Sequence, residues 1–365
     1  MVTEYLFSKA SKNKIPLSAT FELTPVCNFS CKMCYVRKTP DIIKKEGKRL
    51  LSADEWLKLA KECHKAGTLY LLLTGGEPFA YPEFKKLYTE LHKMGFILSI
   101  NTNGSLIDEE TVEWLKKYAP SRINITLYGA SAETYRKICG NADGYEKAVK
   151  AINLMKEAGI AVVINGSMTP ENSDDLEKIA AFGKETGLNT RISYYMFPPV
   201  RRNAENGDSR LTPEQASDCY MRRIECQLNK EQQANLIKGI LKKSCIENSE
   251  TWGAQNEFMQ CRAGRSAFWI SWEGRMTACG LMDFPTVTYP LETPFESCWQ
   301  ELTLKVRTTS VMKECSDCNL LEICRPCAAM LYSESGDVNK KSEYLCKMSE
   351  CIYDKLWEKY NETEI

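Results

Sequence analysis

Short apolar runs alternate with amphipathic segments along residues 16–200. The runs are rich in β-branched and aromatic residues, and the intervening segments, such as 144–159, place apolar residues at helical period. Ser52 and Glu55 have the spacing of a capping box at the start of the first of these helices. Six strands are predicted, over 18–23, 68–74, 96–102, 122–128, 161–167 and 191–196. This alternation predicts an α/β domain, a partial (βα)6 parallel barrel whose chemistry lies at the carboxyl ends of the strands.

The pattern changes after Pro198-Pro199. Residues 201–255 are polar with mixed helical character and are predicted to form a helical bridge. Residues 256–365 have short loops and many cysteines, with a hairpin predicted around Glu273-Gly274. Together with an N-terminal segment, 1–15, and the barrel, 16–200, these parts predict a second, small cysteine-rich α+β domain at the end of the chain.

Charge and hydropathy narrow the classes of partner. The 48 basic and 48 acidic residues cancel, and neither sign forms a long block. Binding to nucleic acid or to an anionic membrane is therefore not expected. The N-terminus lacks the apolar core of a signal peptide, and no stretch approaches the roughly 18 apolar residues of a membrane span. A cytoplasmic protein is predicted.

Cysteine is the unusual residue of this sequence. There are 17 cysteines and only two histidines, His64 and His92. A reducing cytoplasm does not keep structural disulfides, so metal sites are the favoured explanation. With so little imidazole available, the ligands are expected to be thiolates.

Three cysteines directly follow the first predicted strand. Cys27, Cys31 and Cys34 form a C-x3-C-x2-C pattern, so one short loop can ligate three irons of a [4Fe-4S] cluster and leave the fourth iron open. The apolar Tyr35, next to the last of them, could shield such a cluster from water. The alternative is a zinc site, but zinc takes four ligands, and no fourth ligand lies nearby in the sequence.

A glycine pair follows the second strand, in Thr74-Gly75-Gly76-Glu77-Pro78. Two glycines allow close backbone approach, and a carboxylate beside them can pair with an ammonium group. Together with the cysteine loop, this segment resembles the radical S-adenosylmethionine (SAM) superfamily, in which a GGEP motif receives the methionine amino group of the cofactor. The resemblance implies that Gly75, Gly76, Glu77 and Pro78 bind SAM, together with Tyr35.

Polar residues at other strand ends extend the resemblance. Asn101 and Asn103 follow the third strand and Ser167 ends the fifth, and the family often uses such positions for the ribose and carboxylate of SAM. The fourth strand departs from the pattern, because Tyr128 stands where the family's turn has aspartate. The implied chemistry is chelation of SAM by the open iron, one-electron reduction, and cleavage to a 5′-deoxyadenosyl radical that abstracts hydrogen from a substrate.

The C-terminal cysteines are similar to a SPASM domain, the auxiliary-cluster module of many peptide-modifying radical enzymes. The resemblance implies one cluster on Cys315, Cys318, Cys324 and Cys346 and another on Cys261, Cys279 and Cys327, and hence three [4Fe-4S] clusters in all. The Cys324 to Cys327 spacing is one residue short of the family pattern. The second cluster either keeps an open iron or is completed by Cys351 or Cys245. One or two zinc ribbons are the alternative.

The resemblance favours maturation of a ribosomally made peptide, by a crosslink, a thioether or an epimerisation. The alternatives are oxidation of a small molecule, a haem precursor or a protein residue, as in sulfatase maturation, and a non-catalytic iron–sulfur electron-transfer or sensor protein. Only 26 residues precede Cys27, too few for the N-terminal peptide-recognition domain of many such maturases, so a separate leader-recognition protein is a candidate partner. A flavodoxin or ferredoxin is the expected electron donor.

Two residue pairs near the sixth strand are candidates for substrate contact. Tyr194 and Tyr195 alternate in the predicted strand, so one is expected to face the barrel interior. Arg201 and Arg202 follow near the mouth of the barrel and could pair with acidic groups, although a solvated surface pair is favoured.

Overall fold

The computed structural model describes residues 2–198, 209–244, 259 and 261–362. The strands are β1 (Ser18–Glu22), β2 (Tyr70–Thr74), β3 (Ile97–Thr102), β4 (Arg122–Thr126), β5 (Val162–Ser167), β6 (Asn189–Ser193), β7 (Ala267–Ile270) and β8 (Met276–Thr277). The helices are α1 (Val2–Lys12), α2 (Pro40–Lys45), α3 (Ala53–Lys65), α4 (Phe84–Lys93), α5 (Glu109–Lys117), α6 (Ala132–Cys139), α7 (Gly144–Glu157), α8 (Leu176–Thr186), α9 (Pro213–Gln227), α10 (Lys230–Ser244), α11 (Phe295–Thr308), α12 (Leu321–Cys324), α13 (Ala328–Ser335) and α14 (Glu343–Glu362).

The strands form one sheet in the order β6-β5-β4-β3-β2-β1-β7-β8. Neighbours from β1 to β6 are parallel, which confirms the partial parallel barrel. The predicted C-terminal hairpin is present, and its first strand, β7, pairs in parallel with β1, so the cysteine-rich part extends the barrel sheet. The domain boundaries at 16, 201 and 256 stay predictions.

Alternation along the strands separates a helix-facing core from a polar lumen. Ile100, Ile125 and Ile164 are fully buried. They alternate with asparagines on the same three strands, Asn101, Asn124 and Asn165. Because successive strand residues point to opposite faces, the asparagines share the concave face. The interior of the barrel is thus lined by hydrogen-bonding groups.

The prediction of the sixth strand is wrong at both ends, because β6 covers Asn189–Ser193 and not 191–196. Asn189 pairs with Val163 directly after α8 ends. The Ser193 hydroxyl donates to the carbonyl oxygen of Tyr195 at 2.6 Å, which turns the chain out of the sheet. The argument from strand alternation therefore does not apply to Tyr194 and Tyr195.

Local signals in the helices agree with the sequence. The capping box of α3 is present, with the Glu55 amide donating to Ser52 Oγ at 3.2 Å and the Ser52 amide donating to Glu55 Oε2 at 2.8 Å. The predicted helix over 144–159 corresponds to α7. The described part of the predicted bridge contains α9 and α10. No helix among the described residues has the length and apolarity needed to cross a membrane.

Candidate active site

The cysteine loop begins where β1 ends and is fixed to the barrel along its length. The Lys38 amide donates to the carbonyl of Pro25 at 2.9 Å. In the middle of the loop, the amides of Ser30 and Lys32 donate to the carbonyls of Cys139 and Ile138 at the end of α6, at 2.9 and 3.1 Å. The loop therefore has one defined path over the carboxyl ends of the strands.

Backbone amides point at two of the three sulfurs. The Phe29 amide donates to Cys27 Sγ and the Arg37 amide to Cys34 Sγ, each at 3.3 Å. Burial nevertheless raises the pKa of Cys27 to about 12. A hydrogen bond with the Cys139 thiol, and then burial, raises the pKa of Cys31, against a hydrogen bond from the Tyr128 hydroxyl. Buried thiols of this kind become thiolates when a cation such as iron binds them.

The glycine pair packs on the start of the cysteine loop. The Gly76 amide donates to the carbonyl of Thr24 at 2.6 Å. A Cβ at Gly75, whose φ is +154°, would lie 2.4 Å from the Thr24 carbonyl oxygen, and one at Gly76 would lie 2.5 Å from that of Val26. Both glycines are therefore required by contact between two backbone segments of the protein. Their predicted contact with SAM stays a prediction.

Glu77 is fully buried, and its carboxylate is used within the protein. It accepts from Thr102 Oγ1 at 2.7 Å, from the Asn103 amide at 2.8 Å and from the Phe79 amide at 3.2 Å. Burial raises its pKa to about 7, although these three donors oppose the rise. The carboxylate joins the ends of β2 and β3. Its predicted pairing with an ammonium group would come in addition to this structural role.

A second network joins the end of β3 to the cysteine loop. Asn103 Nδ2 donates to Asn28 Oδ1 at 3.0 Å and lies 3.7 Å from Cys27 Sγ. Asn28 Nδ2 donates to Ser105 Oγ at 2.8 Å, and Ser105 donates back to Asn103 Oδ1. The predicted cofactor residue Asn103 thus lies beside the first cysteine, on the chain that Glu77 anchors.

The lumen below this loop has an unsatisfied polar atom. Asn124 Nδ2 donates to Asn101 Oδ1 at 2.7 Å. Asn124 Oδ1 is buried without a hydrogen-bond partner among the described residues. Ser167, at the carboxyl end of β5, lines a cavity of about 450 Å³ on the same side of the sheet. A buried acceptor that the described residues leave without a partner is suited to a hydrogen-bonding ligand.

Tyr35 and Pro78 flank the site. Tyr35 packs in a small apolar cluster with Val36, Ile43 and Trp272, the last of which follows β7. Pro78 is buried and begins the short turn Pro78–Ala80. Tyr35 therefore stabilises the end of the cysteine loop, and Pro78 stabilises the turn that follows β2.

Four cysteines of the C-terminal region, Cys315, Cys318, Cys324 and Cys346, are predicted to hold one auxiliary cluster, and their charges act on one another. Their role as ligands stays a prediction. Burial, followed by the charges of Cys315, Cys346 and Cys318, raises the pKa of Cys324 to about 11. Burial, followed by the charges of Cys318 and Cys346, raises the pKa of Cys315. These thiols come from short turns around α12 and from the first turns of α14.

The second predicted auxiliary set is described less completely. Burial raises the pKa of Cys327, while hydrogen bonds from the Met330 and Ala329 amides lower it. The charge of Cys261 also raises it, so Cys261 lies near enough to act on Cys327. Cys279 lies just after β8, where its carbonyl accepts from Thr277 Oγ1. Cys351 lies within α14, and Cys245 falls outside the described residues, as do Arg201 and Arg202. Completion of this set by either cysteine stays a prediction.

The sequence analysis did not identify three residues as neighbours of the predicted cluster and cofactor ligands. Cys139 and Tyr128 contact Cys31, and Asn28 contacts Asn103. Cys139 is more than 100 positions from the loop, so only the fold brings it there. Asn28 lies inside the motif and was detectable as a polar side chain between two expected ligands.

The donor set fits an iron–sulfur cluster. Three thiols on one fixed loop, two of them facing backbone amides, match the sulfur ligation and the hydrogen bonding of such clusters. Among the described residues no three cysteine, histidine or carboxylate side chains converge on a point that would hold a single metal ion. Cubane ligands need not converge, because each of them binds a different iron.

The fold and this loop are typical of an iron–sulfur enzyme built on a partial (βα)6 barrel. Residues 21–183 match the family model of the radical SAM superfamily. This stretch of the chain is similar to that superfamily, whose members are enzymes that use a [4Fe-4S] cluster and SAM.

Individual relatives cover different shares of the chain. An AdoMet-dependent heme synthase of Methanosarcina barkeri is 25% identical over 352 residues, which cover 93% of this chain and 97% of the relative. A PqqA peptide cyclase of Granulibacter bethesdensis is 27% identical over 193 residues, and the match spans 52% of this chain and half of the cyclase. The crystal structure of Streptococcus suis SuiB superposes with a TM-score of 0.66 at 18% identity, over 93% of this chain and 79% of SuiB, which shows a shared fold.

Proposed function

We propose that this enzyme cleaves SAM reductively at a cluster held by Cys27, Cys31 and Cys34 and abstracts hydrogen from a bound substrate. The observation that carries the proposal is the cysteine loop itself, fixed at the carboxyl end of β1 against the Gly75-Gly76 turn. When bound, the cluster and SAM supply the electron and the 5′-deoxyadenosyl radical. The chain orients the reactants and excludes water, which the buried network around Glu77 and Asn103 supports.

The C-terminal cysteines are proposed to hold two auxiliary [4Fe-4S] clusters. The grouping of Cys315, Cys318, Cys324 and Cys346 supports the first, and the proximity of Cys261 to Cys327 supports the second. Hydrogen abstraction leaves a substrate radical, and its oxidation to a closed-shell product releases one electron. Clusters held by these cysteines would supply an acceptor for that electron, and a flavodoxin or ferredoxin type of protein would be the redox partner.

The first substrate candidate is a ribosomally made peptide. The relative named PqqA peptide cyclase supports it through a match over 52% of this chain. The cavity of about 450 Å³ is of the right order for part of the cofactor together with one amino-acid side chain. A leader-recognition protein would then be a partner.

A haem precursor is the second candidate, and a specific observation favours it. The match to the relative named AdoMet-dependent heme synthase extends over both the barrel and the cysteine-rich part, end to end. In that case the substrate edge that enters the lumen would be a propionate side chain of a porphyrin. Both candidates require the same radical chemistry.

The test is anaerobic reconstitution followed by assays of iron, sulfide and 5′-deoxyadenosine. The wild type is expected to hold roughly twelve irons and the C27A/C31A/C34A triple variant roughly eight, with loss of all 5′-deoxyadenosine. A Cys226→Ala variant is the matched control, because Cys226 is a half-buried thiol of α9 outside all three predicted clusters. Absence of 5′-deoxyadenosine from the reduced wild type would contradict the proposal.

A further inference from the structure

A polar cavity opens where the carboxyl ends of β4, β5 and β6 meet α9. Its lining includes Thr126, Asn165, Ser167 and two arginines, Arg191 of β6 and Arg223 of α9. Ser167 is expected to contact SAM, so the cavity adjoins the cofactor. The reacting carbon of a substrate must come within about 3–3.5 Å of the atom that attacks it. The substrate is therefore expected to share this cavity.

The strand register places Arg191 on the lumen face. Thr126 pairs with Asn165, and Asn165 pairs with Arg191, so the three residues form one row across the sheet. Ile164 and Ile192, the neighbours of this row along β5 and β6, are buried on the helix side. By strand alternation the row faces the opposite, concave side.

Helix α9 brings the second arginine to the same place. Gln227 Nε2 donates to the carbonyl of Thr190 at 2.9 Å, which fixes the end of α9 along the edge strand β6. The Arg223 guanidinium lies 5.0 Å from the ring centre of Tyr194 and 5.2 Å from that of Tyr220. The two rings hold the guanidinium at the cavity without neutralising it.

Adjacent arginines of α9 differ in their partners. Arg222 forms a two-point ion pair with Glu177 of α8, at 2.6 and 2.5 Å. Within the described residues neither Arg223 nor Arg191 forms an ion pair. Two guanidinium groups that line one cavity, with no carboxylate among its lining residues, place positive charge there that an anionic ligand would neutralise. The planar fork of arginine matches a carboxylate in two-point geometry.

We infer that Arg191 and Arg223 bind a carboxylate of the substrate and thereby place its neighbouring carbon for hydrogen abstraction. This inference rests on the proposed function and names its substrate class, a carboxylate-bearing molecule. The carboxylate can belong to a porphyrin propionate or to an acidic side chain of a peptide. The chemistry recognised by the arginines is the same in both.

The experiment measures binding of two probes to the reconstituted holoenzyme with SAM. One probe is coproporphyrin III, which carries four propionates, followed by its fluorescence. The other is a capped, dye-labelled peptide with three glutamates, and its glutamine counterpart serves as the uncharged reference. The wild type is expected to bind at least one carboxylate probe, and that probe identifies the source.

The variants are R191Q and R223Q, with R222Q as the matched control on the same helix. Each of the first two is expected to weaken binding of that probe at least tenfold, and R222Q less than twofold. Arg191→Lys and Arg223→Lys keep the charge without the fork, and they are expected to give intermediate losses. Circular dichroism and iron content confirm that each variant is folded and loaded.

Three results would overturn the inference. They are failure of the wild type to bind either carboxylate probe, equal losses in R222Q and R223Q, and a loss of SAM affinity as large as the loss of probe affinity. The last result would mean that the arginines serve the cofactor. Failure of the proposed function is distinguishable, because it would appear as absence of 5′-deoxyadenosine in the wild type.

Discussion

The two cysteine-rich regions of this chain are held in different ways. The loop of Cys27, Cys31 and Cys34 is tied to the barrel by hydrogen bonds from β2, β3 and α6, and Cys31 is only 6% exposed. The C-terminal cysteines lie on short turns and at the start of α14. The turn of Cys315 is tied to the segment before α14, because the Met312 and Glu314 amides donate to the carbonyls of Val338 and Asn339, and Cys318 is exposed. The catalytic loop is therefore positioned by elements of the barrel, whereas the auxiliary ligands are positioned by contacts within the C-terminal region.

This difference predicts that a small substitution next to the catalytic loop reduces activity more than the loss of one cysteine ligand in the C-terminal region. Gly76→Ala is the strongest test. Its Cβ would lie 2.5 Å from one backbone carbonyl oxygen and 2.7 Å from another, both in the cysteine loop, so the loop must move. Because misplacement of about 1 Å can cost about 100-fold in rate, we expect at least that loss of 5′-deoxyadenosine formation.

Gly239→Ala is the control for this change. Gly239 lies in α10, and its Cβ would meet nothing within 4 Å. We expect this variant to be neutral or to stabilise the protein by up to about 1 kcal/mol, because alanine favours the helix. If Gly76→Ala formed 5′-deoxyadenosine at the wild-type rate, the loop would not depend on the framework as we argue.

Cys318→Ser addresses the other region and is expected to have an intermediate effect. Loss of one thiolate should remove one auxiliary cluster, about four of roughly twelve irons. Substrate turnover should fall. SAM cleavage in the absence of substrate should change only a few-fold, because Cys318 is not one of the three predicted ligands of the catalytic cluster. Iron analysis and the ratio of product to 5′-deoxyadenosine measure this. Full retention of iron would remove Cys318 from the ligand set.

Some features of the fold could be predicted from the sequence, and others could not. The βα order, the start of α3 and the position of the cysteine loop follow from local patterns, because strand alternation, capping and motif spacing are short-range properties. The end of β6 was missed because Ser193 turns the chain through a side-chain hydrogen bond that Tyr194 and Tyr195 do not reveal. The pairing of β7 with β1 also escaped prediction, since nothing local specifies a partner some 250 residues away.

The same limit applied to the site. The cysteines were recognisable from spacing, but the three internal donors to Glu77 were not, because they come from a different strand end and from the glutamate's own turn. Arg223 likewise gains its meaning only when α9 lies along β6. Long-range contacts thus decide which polar residues of a motif are structural and which face a ligand.

The smallest expected effect concerns Tyr128, which occupies the position where the family pattern has aspartate. Its hydroxyl contacts Cys31, and its ring packs 6.2 Å from Phe29 within the loop. A hydrogen bond to a cluster thiolate stabilises the more negative, reduced state, so Tyr128→Phe should lower the reduction potential of the catalytic cluster. Cluster content should stay near that of the wild type, because the ring remains in place.

Tyr145→Phe is the control, since that ring packs on Tyr135 further from the cysteines. A redox titration followed by electron paramagnetic resonance measures the shift, and equal potentials in the wild type and Tyr128→Phe would show that the hydroxyl does not act on the cluster.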